Sequence, residues 1–463
     1  MFKKTRHVHF VGIGGVGMSG IAEVLINNGY KVSGSDLNDS EGTRYLSDIG
    51  ADIFIGHSSS NIDGSEVVVV SSAVKSDNAE VVSARERSIP VIPRGEMLSE
   101  LMRLKYGIAV AGTHGKTTTT SMIATVLAKG GLDPTMVTGG RLNSLSSGVM
   151  LGQSDFLVAE ADESDGSFLR LSPTIAVVTT LDREHLDYYG NIKNIKKAFI
   201  KFINRIPFYG AAILCLDQEH IQDLIPEIEK RYITYGLSAQ ADYTAKNILF
   251  SGLNTGFSVY RKGEELGKIS INMPGVHNVC NSLAAVAVGL ELDIDFSTIS
   301  KSLEDCSGIE RRFHVRGEES GVIVVDDYGH HPVEIRAAIR AAKDVWRDKR
   351  IIVVFQPHRY TRVKTLLKDF YTAFHDADAL IVTSIYSAGE RPIQGVDGPL
   401  LYNGIKKRGH RDAVFIEKEG EIVRYLLDTA KSGDVVMTLG AGDIWKVGVN
   451  LLRALRGEDW KLD

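Results

Sequence analysis

A chain of 463 residues exceeds what one hydrophobic core can fill and predicts about three domains. Its 43% hydrophobic and 24% charged residues are those of an ordinary water-soluble globular protein. A net charge of −5, from 53 basic and 58 acidic residues with no basic run, excludes nucleic acid or an anionic membrane surface as principal partner.

The chain opens with Lys3, Lys4 and Arg6, as a secretory leader would, but no sustained apolar core or cleavage site follows before Glu23. A signal peptide is therefore not expected, and no run of about 18 apolar residues predicts a membrane span. Instead the apolar run Val8–Val11 leads into Gly12-Ile13-Gly14-Gly15-Val16-Gly17, a G-x-G-x-x-G turn at the start of a helical pattern. A second strand, Lys31–Ser35, ends at Asp36. This spacing predicts a Rossmann-type site, with a pyrophosphate at the helix N-terminus and Asp36 near a ribose or base. Alone it points to NAD and a dehydrogenase, and a glycine turn that merely packs helix on strand is the plainer alternative. Val67–Val70 continues the sheet, and a domain boundary is expected near Arg103–Tyr106.

Ile108–Ala111 then precedes Gly112-Thr113-His114-Gly115-Lys116-Thr117-Thr118-Thr119, and Met122, Ile123, Val126 and Leu127 can share one face of the helix that follows. Strand, glycine loop, Lys-Thr and helix make a nucleotide phosphate cradle for ATP or GTP. Lys116 can reach the terminal phosphates and the Thr117 hydroxyl can hold Mg²⁺. The usual loop has a further glycine five residues before Gly115, where Val110 stands. Two phosphate cradles in one chain call for a joint explanation, and a diphosphate substrate in the first domain with ATP in the second supplies one.

Further apolar runs follow at Phe156–Ala159, Ile175–Val178, Ala211–Leu216, Val322–Val325, Ile351–Phe355, Ala379–Val382 and Val435–Leu439. Continuous rather than alternating runs predict strands covered on both faces, hence mostly parallel α/β sheets whose ligands gather beyond the strand ends. Behind Phe156–Ala159 stands Glu160-Ala161-Asp162-Glu163-Ser164-Asp165, where Glu160, nearest the strand, is the first choice for a Mg²⁺ ligand. Behind Ile175–Thr180, His185 stands where it can ligate or orient a second divalent ion, or serve structure alone. The glycine-punctuated, alternating stretch Ala241–Met273 predicts antiparallel hairpins inserted at the side of the central domain. Cys215, Cys280 and Cys306 have neither disulfide-framework nor metal-site spacing and fit a reducing cytoplasm. A second boundary is expected near Ser307–Phe313. Beyond it, Asp326–Pro332, Gln356–Arg362 and Gly440–Trp445 are strand-end clusters, and Arg359 with Arg362 can clamp a carboxylate.

Taken together the motifs resemble those of the Mur ligase family, essentially end to end. The carriers are Gly12–Gly20 (GIGGVGMSG), Gly112–Thr119 (GTHGKTTT), Glu160–Phe168 (EADESDGSF), His185-Leu186-Asp187, His277-Asn278 with Asn281, Asp326–Pro332 (DDYGHHP) and Gln356–Arg362 (QPHRYTR). The resemblance implies three α/β domains. These are an N-terminal Rossmann-like domain for a UDP-sugar (residues 1–106), a central P-loop ATPase-type domain (107–312) and a C-terminal Rossmann-like domain for an amino acid (313–463). It implies a cytoplasmic enzyme of peptidoglycan precursor synthesis that uses ATP and Mg²⁺ to join L-alanine to the carboxylate of UDP-N-acetylmuramate through an acyl phosphate.

Carried over residue by residue, Lys116 resembles the phosphate-loop lysine, and Thr117, Glu160 and His185 the metal ligands. Lys116, Glu160 and His185 form the implied catalytic set. Gly112, Thr113, His114, Gly115, Lys116, Thr117 and Thr118 resemble the ATP cradle, with Asn281, Arg312 and Asp327 for adenine, phosphate and ribose. Gly12, Gly14, Gly15, Gly17 and Asp36 are implied to bind UDP rather than NAD, and His330, Arg359 and Arg362 the amino acid. Several sister ligases carry a carbamylated lysine on the helix after the metal-binding histidine; here Ile200 falls there, with Lys201 beside it. The rival readings are a sister ligase that adds a preformed peptide, an NAD-dependent oxidoreductase, and a non-catalytic nucleotide switch.

Overall fold

The computed structural model describes residues 6–71, 73–138, 149–306 and 311–460. Lys3, Lys4 and the boundary residues 307–310 lie outside them. Three α/β sheets carry the architecture. The first holds β1 (His7–Val11), β2 (Lys31–Asp36), β3 (Asp52–Ile55), β4 (Val67–Val70) and β5 (Val91–Pro93) in the order β3-β2-β1-β4-β5. All four of its pairings are parallel. The strand order reverses at β1, so the crevice above the β1 glycine turn is where such a sheet collects a ligand.

The second sheet holds β6 (Tyr106–Ala111), β7 (Thr135–Val137), β8 (Val149–Met150), β9 (Phe156–Glu160), β10 (Ile175–Val178), β11 (Ala211–Cys215), β12 (Tyr232–Gly236), β13 (Tyr243–Ser251), β14 (Asn254–Arg261) and β15 (Glu264–Ile271). Their order is β15-β14-β13-β12-β11-β10-β6-β9-β7-β8. β6 lies parallel between β9 and β10, with Val110 opposite Glu160 and Ala111 opposite Val178. That register sets three strand ends side by side at the phosphate loop. The expected hairpins form, with Lys262 and Gly263 both at positive φ in the second two-residue turn. They stand at the side of the central sheet and prolong it, β13 pairing with β12 through Tyr235↔Tyr243 and Gly236↔Thr244.

The third sheet holds β16 (His314–Glu319), β17 (Val322–Asp327), β18 (Ile351–Phe355), β19 (Ala379–Val382), β20 (Ala413–Phe415) and β21 (Val435–Leu439), ordered β16-β17-β21-β18-β19-β20. Only β16 runs antiparallel. The continuous apolar runs have the predicted cause. Ile351, Val353 and Phe355 enter one core with Ile335, Ala338, Ile339 and Ala342 of the helix Pro332–Val345. Ile352 and Val354 point the other way, into a core with Val447 and Leu451 of the helix Trp445–Leu455. The chain divides into two compact units: Met1–Asn247 with Phe257–Ile269 and Cys280–Ser307, and Ile248–Gly256 with Ser270–Val279 and Gly308–Asp463. Among the described residues no helix is long and apolar enough to cross a membrane.

Candidate active site

β6 ends at Ala111, and the loop turns at Gly112 (φ +137°) and Gly115 (φ +79°) into the helix Lys116–Lys129. Both glycines are obligatory. A Cβ on Gly112 would lie 2.2 Å from Thr179 Oγ1, and one on Gly115 2.7 Å from Asn281 Oδ1. The loop is fastened to the end of β10. Thr113 N–H donates to the Thr180 carbonyl (3.0 Å), His114 N–H to Thr180 Oγ1 (2.8 Å), and Asp182 N–H to Thr113 Oγ1 (2.9 Å). Thr118 is buried in the helix's first turn. Asn281, reached only through the resemblance, is buried and accepts from Thr119 Oγ1 at 3.2 Å, so here it braces the loop from behind.

Lys116 Nζ donates to the Gly112 carbonyl (2.6 Å) and to Glu163 Oε1 (2.7 Å). Burial opposes its charge, but the Glu163 and Glu160 carboxylates more than offset that and hold the ammonium above its ordinary pKa. At Glu163, by contrast, burial prevails: its pKa is pushed up to about 7 although Lys116 pulls it down. Thr117 Oγ1 donates to Glu160 Oε2 at 3.0 Å. A hydroxyl beside a carboxylate is a hard-oxygen pair that fits Mg²⁺. His185, at φ +54°, places Nε2 3.7 Å from Glu163 Oε1. His185 thus stands on the Lys116–Glu163 side of the loop. Lys201 is exposed on the helix Ile192–Ile203.

In the first sheet Gly12 takes φ +80° and, with Ile13, donates its N–H to the Ser35 carbonyl (2.8 and 3.0 Å). Gly14 N–H donates to Asp36 Oδ2 at 2.9 Å. A Cβ on Gly14 would meet that same carboxylate at 2.9 Å, so Asp36 shapes the turn as well as facing its crevice. Gly15 is exposed, and a Cβ on Gly17 would stand 3.0 Å from Arg94 Nη1. Arg94, at the start of the helix Arg94–Met102, also donates to Asp162 Oδ2 at 2.8 Å. It therefore ties the glycine turn to the acidic end of β9.

In the C-terminal unit, both oxygens of the buried Asp327 accept backbone N–H groups, Gly329 and Phe313, each at 2.7 Å. Burial pushes its pKa up to about 6 against the pull of Arg312. Arg312 lies over the Tyr328 ring and 3.6 Å from Glu334. His330 Nδ1 is 3.0 Å from the Tyr328 carbonyl, and its ring centroid is 5.4 Å from that of His358. Arg362 Nη1 donates to His358 Nδ1 at 2.9 Å, and His358 stacks on Tyr386. Arg359 is held at φ +67°, and its buried Nε has no hydrogen-bond partner. Backbone strain and an unpartnered guanidinium nitrogen thus coincide in this one residue.

Thus His330 and Arg362 meet through His358, which Tyr386 backs, while Arg359 joins the group through its backbone N–H to the Tyr386 carbonyl (2.9 Å). The sequence reading passed over Glu163, Arg94 and Thr180. Glu163 was visible within the acidic cluster. Arg94 carried no signal, because its significance arises only when one helix meets two loops far apart in sequence.

Comparison with known proteins matches residues 7–106 to "Mur ligase family, catalytic domain", 110–289 to "Mur ligase middle domain" and 311–442 to "Mur ligase, glutamate ligase domain". The chain is similar to the UDP-N-acetylmuramate–L-alanine ligases of Geobacter sp. (strain M21) and Geotalea daltonii. Each is 58% identical over 456 residues, 98% of this chain and 99% of the relative. Among solved structures, the UDP-N-acetylmuramate-alanine ligase of Thermotoga maritima aligns with TM-score 0.82 and 31% identity, over 97% of this chain and 99% of that one. A murein peptide ligase from Psychrobacter arcticus shares the fold at TM-score 0.71 and 24% identity, over 99% of this chain and 100% of that one.

Proposed function

The chain belongs to the Mur ligase family, and from that membership we propose that it joins L-alanine to the carboxylate of UDP-N-acetylmuramate at the expense of ATP. The observation that carries this reading is the tie between two phosphate-binding turns. Arg94 packs on Gly17 of one and pairs with Asp162, beside the Lys116 loop of the other. A sugar nucleotide held on the first turn and ATP on the second would bring two anions together. The geometry supports this better than an oxidoreductase or a nucleotide switch, and the full-length alanine-ligase relatives favour it over a peptide-adding sister enzyme.

The domains are taken as residues 1–106 for the UDP-sugar, 107–312 for ATP and 313–463 for the amino acid. A sugar-linked carboxylate oxygen attacks the γ-phosphorus and ADP leaves, giving an acyl phosphate. The amine of alanine then attacks the acyl carbon, and the tetrahedral species expels phosphate. Lys116 neutralises charge that moves between phosphoryl oxygens in the first step. Thr117 and Glu160 would hold Mg²⁺, which supplies further charge neutralisation when bound, with His185 placed to orient on the Lys116 side. Arg359 receives the alanine carboxylate, and Arg362 and His330 frame it.

The test is phosphate release from ATP with UDP-N-acetylmuramate present and single amino acids or peptides varied. Release that requires both the sugar nucleotide and alanine is expected. Release independent of the sugar, or faster with a peptide than with alanine, would overturn the reading.

A further inference from the structure

Beneath the glycine turn of the first sheet lies a fully buried carboxylate, Glu80, in the first turn of the helix Ala79–Glu86. A charge so placed is costly unless hydrogen bonds satisfy it. Here they do. Ser35 Oγ donates to Oε2 at 2.5 Å; Asn61 Nδ2 and Ser58 N–H donate to Oε1 at 2.6 and 3.3 Å. His9 Nε2 and His57 Nδ1 stand 3.5 and 3.4 Å from Oε2. Although burial alone would raise it, these donors hold the Glu80 carboxyl below the ordinary glutamate range, so it remains an acceptor.

What these donors hold in turn is the candidate sugar-nucleotide site. The Ser35 carbonyl accepts from Gly12 and Ile13, the turn itself. Asn61 Nδ2 also donates to the Gly56 carbonyl (3.1 Å), and Gly56 N–H donates to the Asp36 carbonyl (2.8 Å). Two chains of contact thus leave one carboxylate: one runs through Ser35 to the glycine turn, the other through Asn61 and Gly56 to Asp36. A third consequence follows from proton counting. The single Ser35 hydroxyl proton goes to Glu80, so at the 3.0 Å Ser35–His57 contact His57 Nδ1 is the donor.

We propose that Glu80 is a positioning residue for the sugar-nucleotide site, setting the glycine turn and Asp36 through Ser35 and Asn61 without touching the ligand. The proposal rests on the functional reading above and extends it to a residue remote from the chemistry. Glu80→Gln keeps the shape but replaces one of the two carboxylate oxygens by an NH2 donor, so the side chain can no longer accept from Ser35 and from Asn61 at once. Ser35→Ala removes the link and leaves the charge.

In full-length protein, both variants are expected to raise KM for UDP-N-acetylmuramate, and its calorimetric Kd, by about tenfold, the loss of roughly one hydrogen bond to a charged group. KM for ATP and for alanine should stay within about twofold in both. A core variant of the same sheet, Val68→Ala, with Val68 fully buried, serves as the control for lost stability. It should lower Tm and leave the sugar KM unchanged, a split that a merely structural Glu80 would not produce. Should Glu80→Gln fail to fold, Ser35→Ala carries the test. Wild-type protein that does not bind UDP-N-acetylmuramate overturns the functional reading and this proposal together. Wild-type binding with unaltered affinity in the variants overturns this proposal alone, as does a sugar KM that rises equally in Val68→Ala.

Discussion

Replacing Lys116 with alanine separates two functions that the structure gives one ammonium. Its Nζ lies 2.7 Å from Glu163 Oε1, and the Glu163 side chain is only 4% exposed. Deleting the lysine therefore does more than weaken phosphate transfer, because it leaves a carboxylate buried without its cation. Breaking such a pair from one side costs about 3 kcal/mol. At about 2–4 °C per kcal/mol for a domain of this size, the unfolding transition should fall by about 6–12 °C.

The deficit has a pH signature. Glu163 already sits at about 7, above its unfolded value, and loses its main charge partner in the variant, so its folded pKa rises further. A carboxyl whose folded pKa is raised binds a proton in the native state that the unfolded state gives up, and stability falls as pH rises through that window. The variant should therefore be less deficient at about pH 6 than at about pH 8. Adding Glu163→Gln removes the buried charge, so the double variant should regain most of the stability and lose the pH dependence. Its turnover should stay about 10²–10³-fold or more below wild type, since no cation meets the transferring phosphoryl group. Differential scanning fluorimetry at both pH values, with phosphate release alongside, measures all of this. A single variant as stable as wild type at the higher pH, or a double variant no more stable than the single, would refute the reasoning.

Gly112→Ala should destroy nucleotide binding as well as stability, because its Cβ would stand 2.2 Å from Thr179 Oγ1 and 2.9 Å from the Thr180 backbone, which cannot turn aside; ATP titration by calorimetry checks it. Arg359→Met should raise KM for alanine by about 100-fold with little change for ATP, as expected for a lost bidentate carboxylate contact. Arg362→Met, already engaged with His358, should do markedly less in the same steady-state assay. Glu160→Ala should raise the Mg²⁺ concentration needed for half-maximal activity. His185→Ala should do so too if it orients a metal, whereas a lower Tm at unchanged Mg²⁺ response would make it structural.

Much of the architecture was legible because its causes are local. A run such as Ile351–Phe355, apolar at every position, must be covered on both faces, and two separate cores do cover it. Glycines at 112 and 115 followed by Lys-Thr determine a loop whose backbone takes angles that other residue types adopt only under strain. The hairpins between Ala241 and Met273 were equally readable from their turn residues. Their union with the central sheet was not, since it depends on which edge they meet.

The site divides along the same line. Chemistry-bearing residues at strand ends could be named from sequence because a parallel sheet delivers every strand's carboxyl end to one rim. Which of them touch is a matter of register and of approach by distant elements. That β6 lies between β9 and β10 set Glu163 against Lys116; Arg94 meets Gly17 and Asp162 from a helix whose own sequence announces neither. Glu80 reads as an ordinary helix-start acid and becomes the anchor of the glycine turn only when three other segments close around it. Sequence alone determined the elements and the kinds of chemistry at their ends, because those follow from neighbours along the chain. The ion pairs, their burial and the paths that connect them were decided by tertiary packing, because desolvation and hydrogen bonding depend on what comes close in space.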